Sequence, residues 1–280
     1  MKQYLFELFE NKEYGSNFER FKFKIPSLRV SLLGRCNENC FYCHNEGVSK
    51  KISSTIQTGD IINVIYSLKG FGLKKIKFTG GEPMLYKDLK NLLYKVKHIS
   101  DLKLYITTNG TLIRKRIKDL SPNIIDKISV SLDTLDPEFY KYITGKDYLG
   151  EVLSGLKILK NSGYNVEIDA VLLKNINSKK TSLNELIDYC VNNDFDLQFI
   201  ELSNETGESS YSKFYADPYA TLKKAGLDFL NDNTNDRQFF KIKNSKITLC
   251  RKVSDVCQST GSRCGGLRLL PNGVLKNFYY

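Results

Sequence analysis

The chain has 280 residues, 41% of them hydrophobic, which allows one large folded core or a domain with an extension. Lysine and arginine number 42 against 31 aspartate and glutamate, and the resulting +11 suits an acidic ligand, a nucleic acid or a membrane surface without choosing among them. The opening MKQYLFELFENKE interrupts its apolar positions with Glu7 and Glu10 and lacks a signal-peptide core, and no apolar run is long enough to span a bilayer, so a cytoplasmic address is expected. Seven cysteines, an odd number without a secretory signal, read as metal ligands and free thiols rather than as a disulfide frame.

In chain order, residues 1–25 mix aromatic and charged positions without a clear period and read as an N-terminal arm or cap. Leu28 to Leu33 is the first predicted strand, and Ser49 to Thr58 a connector into a helix over Thr58 to Leu68, where Ile61, Ile62, Ile65 and Leu68 recur at helical spacing. Lys74 to Thr79 is a strand ending in a Gly-Gly turn, followed by a helix over Lys87 to His98. Leu102 to Thr108 is the third strand, turning at Asn109-Gly110 into a basic helix, and Asp126 to Asp133 the fourth. A helix over Leu149 to Ser162, a strand from Asn165 to Leu173, a helix over Ser182 to Asn193 and a strand from Asp196 to Leu202 complete six strand-then-helix units. Six such units call for a parallel sheet with helices outside it, too few for a closed eight-stranded barrel, so residues 26–202 are expected to form an open, partial (β/α)6 barrel of the α/β class. Beyond it, residues 203–280 lose the rhythm. A polar loop over Ser203 to Ser212, a helix over Asp217 to Leu230, and short β-like runs around Pro271-Asn272-Gly273 suggest an irregular extension covering the barrel mouth.

Chemistry concentrates at the strand ends, where parallel α/β folds gather ligands. Cys36 to Glu46, CNENCFYCHNE, puts Cys36, Cys40 and Cys43 on one loop. Three thiolates so spaced suit an iron–sulfur cubane and leave one iron open. With His44 they would also make a tetrahedral zinc set. Gly80-Gly81-Glu82-Pro83 ends the second strand, with glycines that permit close backbone approach and a carboxylate that can pair with an ammonium group. Taken alone it is also an ordinary turn. Thr107-Thr108-Asn109-Gly110 and Ser129 to Asp133 bring hydroxyls, an amide and a carboxylate to the next two strand ends, fit to hydrogen-bond a ribose or a carboxylate.

CxxxCxxC directly after a predicted strand, with GGE one unit later, resembles the radical S-adenosylmethionine (SAM) superfamily. The resemblance implies a [4Fe-4S] cluster on Cys36, Cys40 and Cys43, and SAM chelated to the open iron through its amino and carboxylate groups. It further implies homolytic cleavage of SAM to a 5′-deoxyadenosyl radical that abstracts hydrogen. It assigns SAM contacts to Gly80, Gly81, Glu82, Thr108, Asn109 and Ser131, with Asp133 beside them, and sets Tyr42 against adenine. LRVSLLGRCNENCFYCHNEG, KKIKFTGGEP, TTNGTLI, VSLDTLDPEFYKYITG and QFIEL resemble the subgroup that cyclises GTP for the molybdenum cofactor. There, basic residues grip the triphosphate, a role that would fall to Arg29, Lys75, Lys77 and Arg268, with Thr79 alongside.

The chain also departs from that subgroup. Its second cluster sits on a close C-x2-C pair and a later cysteine, but here Cys264 has Gly261 at the close spacing and Phe278 at the third position. Gly266 replaces the first arginine of an RLR pair, and Glu167 stands where a lysine is usual. Cys250, Cys257 and Cys264 recur every seven residues as a candidate second-cluster set, with three unconnected thiols as the alternative. The expectation is therefore an oxygen-sensitive radical SAM lyase or cyclase with an anionic, nucleotide-like substrate other than GTP and a donor such as flavodoxin or ferredoxin, with no catalytic acid or base identified. A peptide-modifying maturase, or a zinc or nucleic-acid module without radical chemistry, remains an alternative. Neither a membrane nor nucleic acid is expected as the partner of the enzyme.

Overall fold

The computed structural model describes residues 25–43, 54–99, 101–202, 209–229, 237–251 and 266–277. The N-terminal arm, His44, Cys257, Cys264 and Phe278 lie outside the described residues.

Six strands, β1 (Ser27–Ser31), β2 (Lys75–Thr79), β3 (Lys103–Thr108), β4 (Lys127–Ser131), β5 (Val166–Val171) and β6 (Asp196–Ile200), pair in parallel and in sequence order. Between them run α1 (Thr58–Lys69), α2 (Leu89–Lys97), α3 (Ile113–Arg116), α4 (Pro137–Thr144), α5 (Leu149–Asn161) and α6 (Lys180–Asn192). The sheet stays open, which makes the fold the partial barrel expected from the sequence.

The C-terminal strands join this sheet at both edges. β7 (Arg237–Ile242) forms an antiparallel pair with β8 (Ser245–Cys250), and β8 lies parallel to β6. At the other edge β9 (Gly266–Leu269) lies parallel to β1, and β10 (Leu275–Asn277) turns back along it. The order is thus β10-β9-β1-β2-β3-β4-β5-β6-β8-β7. The helix expected over Asp217 to Leu230 is shorter, α7 (Pro218–Lys223), capped by Asp217 through the amide of Ala220. The unforeseen helix is α4: Asp136 caps the amides of Glu138 and Phe139, Pro137 opens the first turn and Gly145 ends it. Among the described residues no helix is long and apolar enough to cross a membrane.

Alternation along the strands divides the sheet into two chemically different faces. Leu28 and Val30, Ile76 and Phe78, Leu104 and Ile106, Ile128 and Val130, Ile168 and Ala170, and Leu197 and Phe199 are buried in the main core, which also takes Ile61 and Ile65 of α1, Leu92 of α2, Leu156 of α5 and Leu186 of α6. Cys190 of α6 is wholly buried there as a small apolar side chain. The opposite face carries Arg29, Lys77, Tyr105, Ser129, Glu167, Asp169 and Gln198, so the barrel has a polar lumen. A parallel strand covered by apolar layers on both sides reads as a continuous hydrophobic run; these strands alternate because one face lines a binding space.

Phe199 has no exposed surface in this core. Truncation by Phe199→Ala is expected to lower unfolding free energy by about 3–5 kcal/mol, read as a shift in the denaturant midpoint at unchanged slope.

Candidate cofactor and substrate site

The cysteine loop leaves β1 and is held at both ends by backbone contacts. Gly81 donates its N–H to Leu33 O at 2.7 Å and Glu82 donates to Arg35 O at 3.0 Å. On its other side Asn39 N–H reaches Thr144 O at 2.9 Å and Phe41 N–H reaches Ile143 O at 3.1 Å, both at the end of α4. The glycines are required by this contact: Gly80 has φ +149°, and a Cβ on Gly81 would lie 1.9 Å from Arg35 O. The close backbone approach expected at the Gly-Gly turn is therefore made by the cysteine loop itself.

Glu82 is 1% exposed and joins two strand ends. One oxygen accepts from the Thr108 hydroxyl at 2.6 Å and from Met84 N–H at 2.9 Å; the other accepts from Asn109 N–H at 2.8 Å. Burial pushes the carboxyl up to about 7, against the pull of those three donors. Asn109 then reaches over to the loop, donating to Asn37 Oδ1 at 2.9 Å and lying 3.7 Å from Cys36 Sγ, while Asn37 donates to Thr111 at 2.8 Å. The ends of β2 and β3 and the cysteine loop are one hydrogen-bonded unit.

A second unit braces the far side of the loop. Tyr42 donates its hydroxyl to Asp133 at 2.6 Å, and the other Asp133 oxygen accepts from Val171 N–H at 2.8 Å. The Asn177 amide donates to Asp133 O and Val171 O and accepts from Leu173 N–H. Burial pushes the Asp133 carboxyl up to about 6 and the Tyr42 phenol well above its ordinary value. Phe41 packs on Tyr142 and Phe214, and Tyr140 of α4 donates to Glu38 between the first two cysteines. Sequence reasoning missed Glu38, Tyr140, Asn177 and Asn37. The Asp-Pro helix start before Tyr140 was the available signal for α4.

Cys36 and Cys43 are exposed, Cys40 is half-buried, and none of the three is in a disulfide. Desolvation pushes the Cys36 thiol up to about 12, with Glu82 and Glu38 adding to it, so iron has to displace the proton. Among the described residues no group of three or more His, Cys, Asp or Glu could hold a single metal ion. A cubane makes a different demand, since each thiolate takes its own iron and the sulfurs need not converge on one point. Three cysteines outside any disulfide on one braced loop fit that donor set.

Of the other expected residues, Ser131 is exposed at the end of β4, and Thr79 is buried at the end of β2. In register across three neighbouring strands stand Arg268, Arg29 and Lys77, with Lys276 of β10 opposite Arg268. Lys75 lies 5.5 Å over the Tyr105 ring, nearer the strand starts. Cys250 ends β8, half-buried and opposite Ile200; the rest of the expected second-cluster set lies outside the described residues.

An open six-stranded parallel barrel with a three-thiol loop on its first strand and GGE on its second defines a radical SAM enzyme. The Radical SAM superfamily profile matches residues 30–186, and the chain belongs to that superfamily. Its cofactors are a [4Fe-4S] cluster and SAM. The chain is 31% identical over 263 residues to a protein of Methanothermobacter thermautotrophicus described as a probable GTP 3',8-cyclase, covering 90% of this chain and 83% of that one. A Pyrococcus abyssi protein of the same description is 34% identical over 212 residues, covering 75% and 67%. The fold is similar to that of Streptococcus suis SuiB bound to S-adenosylmethionine, with a TM-score of 0.69 at 20% identity; the match covers 90% of this chain but spans only 60% of that one.

Gly81→Ala drives a methyl into Arg35 O, and the loop has to move away. Anaerobic reconstitution of this variant should give less than about half the iron per chain of the parent, with far-ultraviolet circular dichroism unchanged.

Proposed function

We propose that Cys36, Cys40 and Cys43 hold the [4Fe-4S] cluster, and that Gly80, Gly81, Glu82, Thr108, Asn109 and Ser131 receive SAM. The reaction is hydrogen abstraction from an anionic substrate, a nucleotide or nucleoside derivative, which is then cyclised or rearranged. The single observation that carries this reading is the direct backbone clasp between the three-thiol loop and the GGE turn, which fixes a buried carboxylate at the end of β2 beside the thiols. A [4Fe-4S] cluster held by these three thiols would supply the electron for reductive cleavage of SAM.

Each residue has a defined task. Glu82, fixed by Thr108 and the Asn109 amide, offers a carboxylate for the SAM amino group. Asn109 and Asn37 hold the first thiol against the end of β3. Tyr42 acts through its hydroxyl on Asp133, which orients the ring for the adenine side of the site. Arg29, Lys75, Lys77 and Arg268, with Thr79, form the anion-binding side of the lumen.

The reaction class follows the GTP cyclase relatives, while the lumen favours another substrate. Glu167, in place of the subgroup's lysine, lies 2.9 Å from Lys127, and Asp196 lies 3.6 Å from the same amine. Burial alone would raise the Glu167 carboxyl, but Lys127 and Lys77 outweigh it and hold it below its ordinary value. The acid is therefore charged, and a carboxylate on this side of the lumen repels a triphosphate. Radical SAM enzymes require a reductant, and a flavodoxin or ferredoxin would serve as the electron donor.

Cys40→Ala should lower reconstituted iron at this loop to near background and abolish dithionite-driven 5′-deoxyadenosine release, measured by iron assay and chromatography. If iron and release both persist in Cys40→Ala, the ligand assignment is wrong. A second test follows from the raised Glu82 carboxyl. Below about pH 7 it is neutral and cannot pair with an ammonium group, so SAM affinity should rise as pH climbs from about 6 to about 8 and then level off. Glu82→Gln should weaken SAM binding and flatten that profile in equilibrium dialysis.

A further inference from the structure

Asn109 is 8% exposed, and both ends of its side-chain amide are fully used. Oδ1 accepts from the Thr111 N–H at 3.1 Å and from the Thr111 hydroxyl at 2.8 Å. A backbone N–H can only donate, so the first of these bonds fixes which end of the amide is oxygen and turns Nδ2 the other way. That nitrogen has two hydrogens to give. One goes to Asn37 Oδ1 at 2.9 Å and the other to Cys36 Sγ at 3.7 Å. Asn37 is held in turn, its own amide donating to the Thr111 hydroxyl at 2.8 Å. Thr111 thus orients both asparagines, and the direction of each bond among the three side chains is determined.

Cys36 has a second donor within its own loop, the Glu38 N–H at 3.4 Å from Sγ. Both donors are neutral amides on fixed supports, and the main-chain N–H of Asn109 is itself tied to the buried Glu82. A neutral donor does not cancel the charge of a thiolate, but it stabilises that charge more as the charge grows. An electron added to an iron–sulfur centre increases the negative charge on the ligating sulfurs, and for this reason hydrogen bonds to those sulfurs help to set the reduction potential. With both hydrogens taken, the Asn109 amide could donate to SAM only by giving up Asn37 or Cys36.

We propose that Asn109 is a positioning residue whose side-chain amide, held by Thr111 and Asn37, donates to the Cys36 sulfur and raises the reduction potential of the centre bound there. The proposal rests on the assignment of Cys36 as a cluster ligand and divides the work of Asn109. Its main chain serves the SAM site through Glu82, and its side chain serves the sulfur. Without that amide the sulfur receives the incoming charge with one donor fewer, and an external reductant delivers its electron less readily.

The test uses the anaerobically reconstituted full chain without SAM, titrated with dithionite against redox dyes and followed by electron paramagnetic resonance. At the potential where half of the parent centre is reduced, Asn109→Ala should show a reduced-to-oxidised ratio lower by at least about threefold. Thr111→Val keeps Asn109 but removes the hydroxyl that orients its amide, so it should lower the ratio by a smaller factor. This variant decides the matter where Asn109→Ala fails to fold or to hold iron. A residue that only stabilised the loop would change the iron content and leave the potential where it was. A ratio in Asn109→Ala within threefold of the parent, a shift toward easier reduction, or an unchanged ratio in Thr111→Val each overturn the proposal. A parent chain that binds no iron refutes the ligand assignment itself, whereas iron bound at a potential indifferent to Asn109→Ala refutes the donor role alone.

Discussion

The contact on which the site depends is that of two backbones with no side chain between them. The turn at Gly80 and Gly81 lies so close to Leu33 and Arg35 that any Cβ at Gly81 would overlap a carbonyl. Two hydrogen bonds seal that contact, and Glu82 extends it to the end of β3 through Thr108 and Asn109. A loop that must present three thiols cannot hold its own shape from within, because it is short and polar. Its conformation is borrowed from the second and third strands on one side and from α4 on the other.

That dependence explains why so many polar groups at the strand ends are already engaged with protein. Glu82, Thr108, Asn109, Tyr42 and Asp133 all make hydrogen bonds to one another or to the loop before any cofactor arrives. Such groups are preorganised: they do not have to be ordered when a ligand binds, and their geometry is set by burial in a medium where hydrogen bonds are strong. The carboxyl of Glu82, lifted to about 7, is poised to respond to a cationic partner. On the polar face below, Lys77 of β2 and Asp169 of β5 stand 3.9 Å apart. The strand ends are thus tied to the thiol loop by hydrogen bonds, while the face below them is organised by charge.

The edges of the sheet tell a related story. β8 and β9 come from the last part of the chain yet lie parallel to β6 and β1, so the C-terminal segment widens the barrel from both sides. Arg268 reaches the cationic wall only by this route, since its register partner Arg29 is more than two hundred residues earlier in the sequence. Short strands such as LRLL carry no signal for which edge they will join. That choice is made by the hydrogen bonds and apolar partners available once the central strands exist.

From the sequence alone, the order of the six strand-then-helix units, the open barrel and the three-thiol loop were all legible, because each rests on a local pattern: the alternation of a strand, the roughly 3.6-residue period of a helix, or the spacing of cysteines. Local patterns also marked the Gly-Gly-Glu turn. What they could not state was that those glycines serve the cysteine loop, that Tyr42 spends its hydroxyl on Asp133, or that Lys77 faces Asp169. Each of those facts joins residues far apart in the chain, and the distances between them are set only when the sheet curves and brings non-neighbouring strands together. The sequence determined which groups this protein owns and which strand end each would occupy; the tertiary structure decided which of them meet, because burial and the curvature of the open sheet, acting over long sequence separations, select the partners.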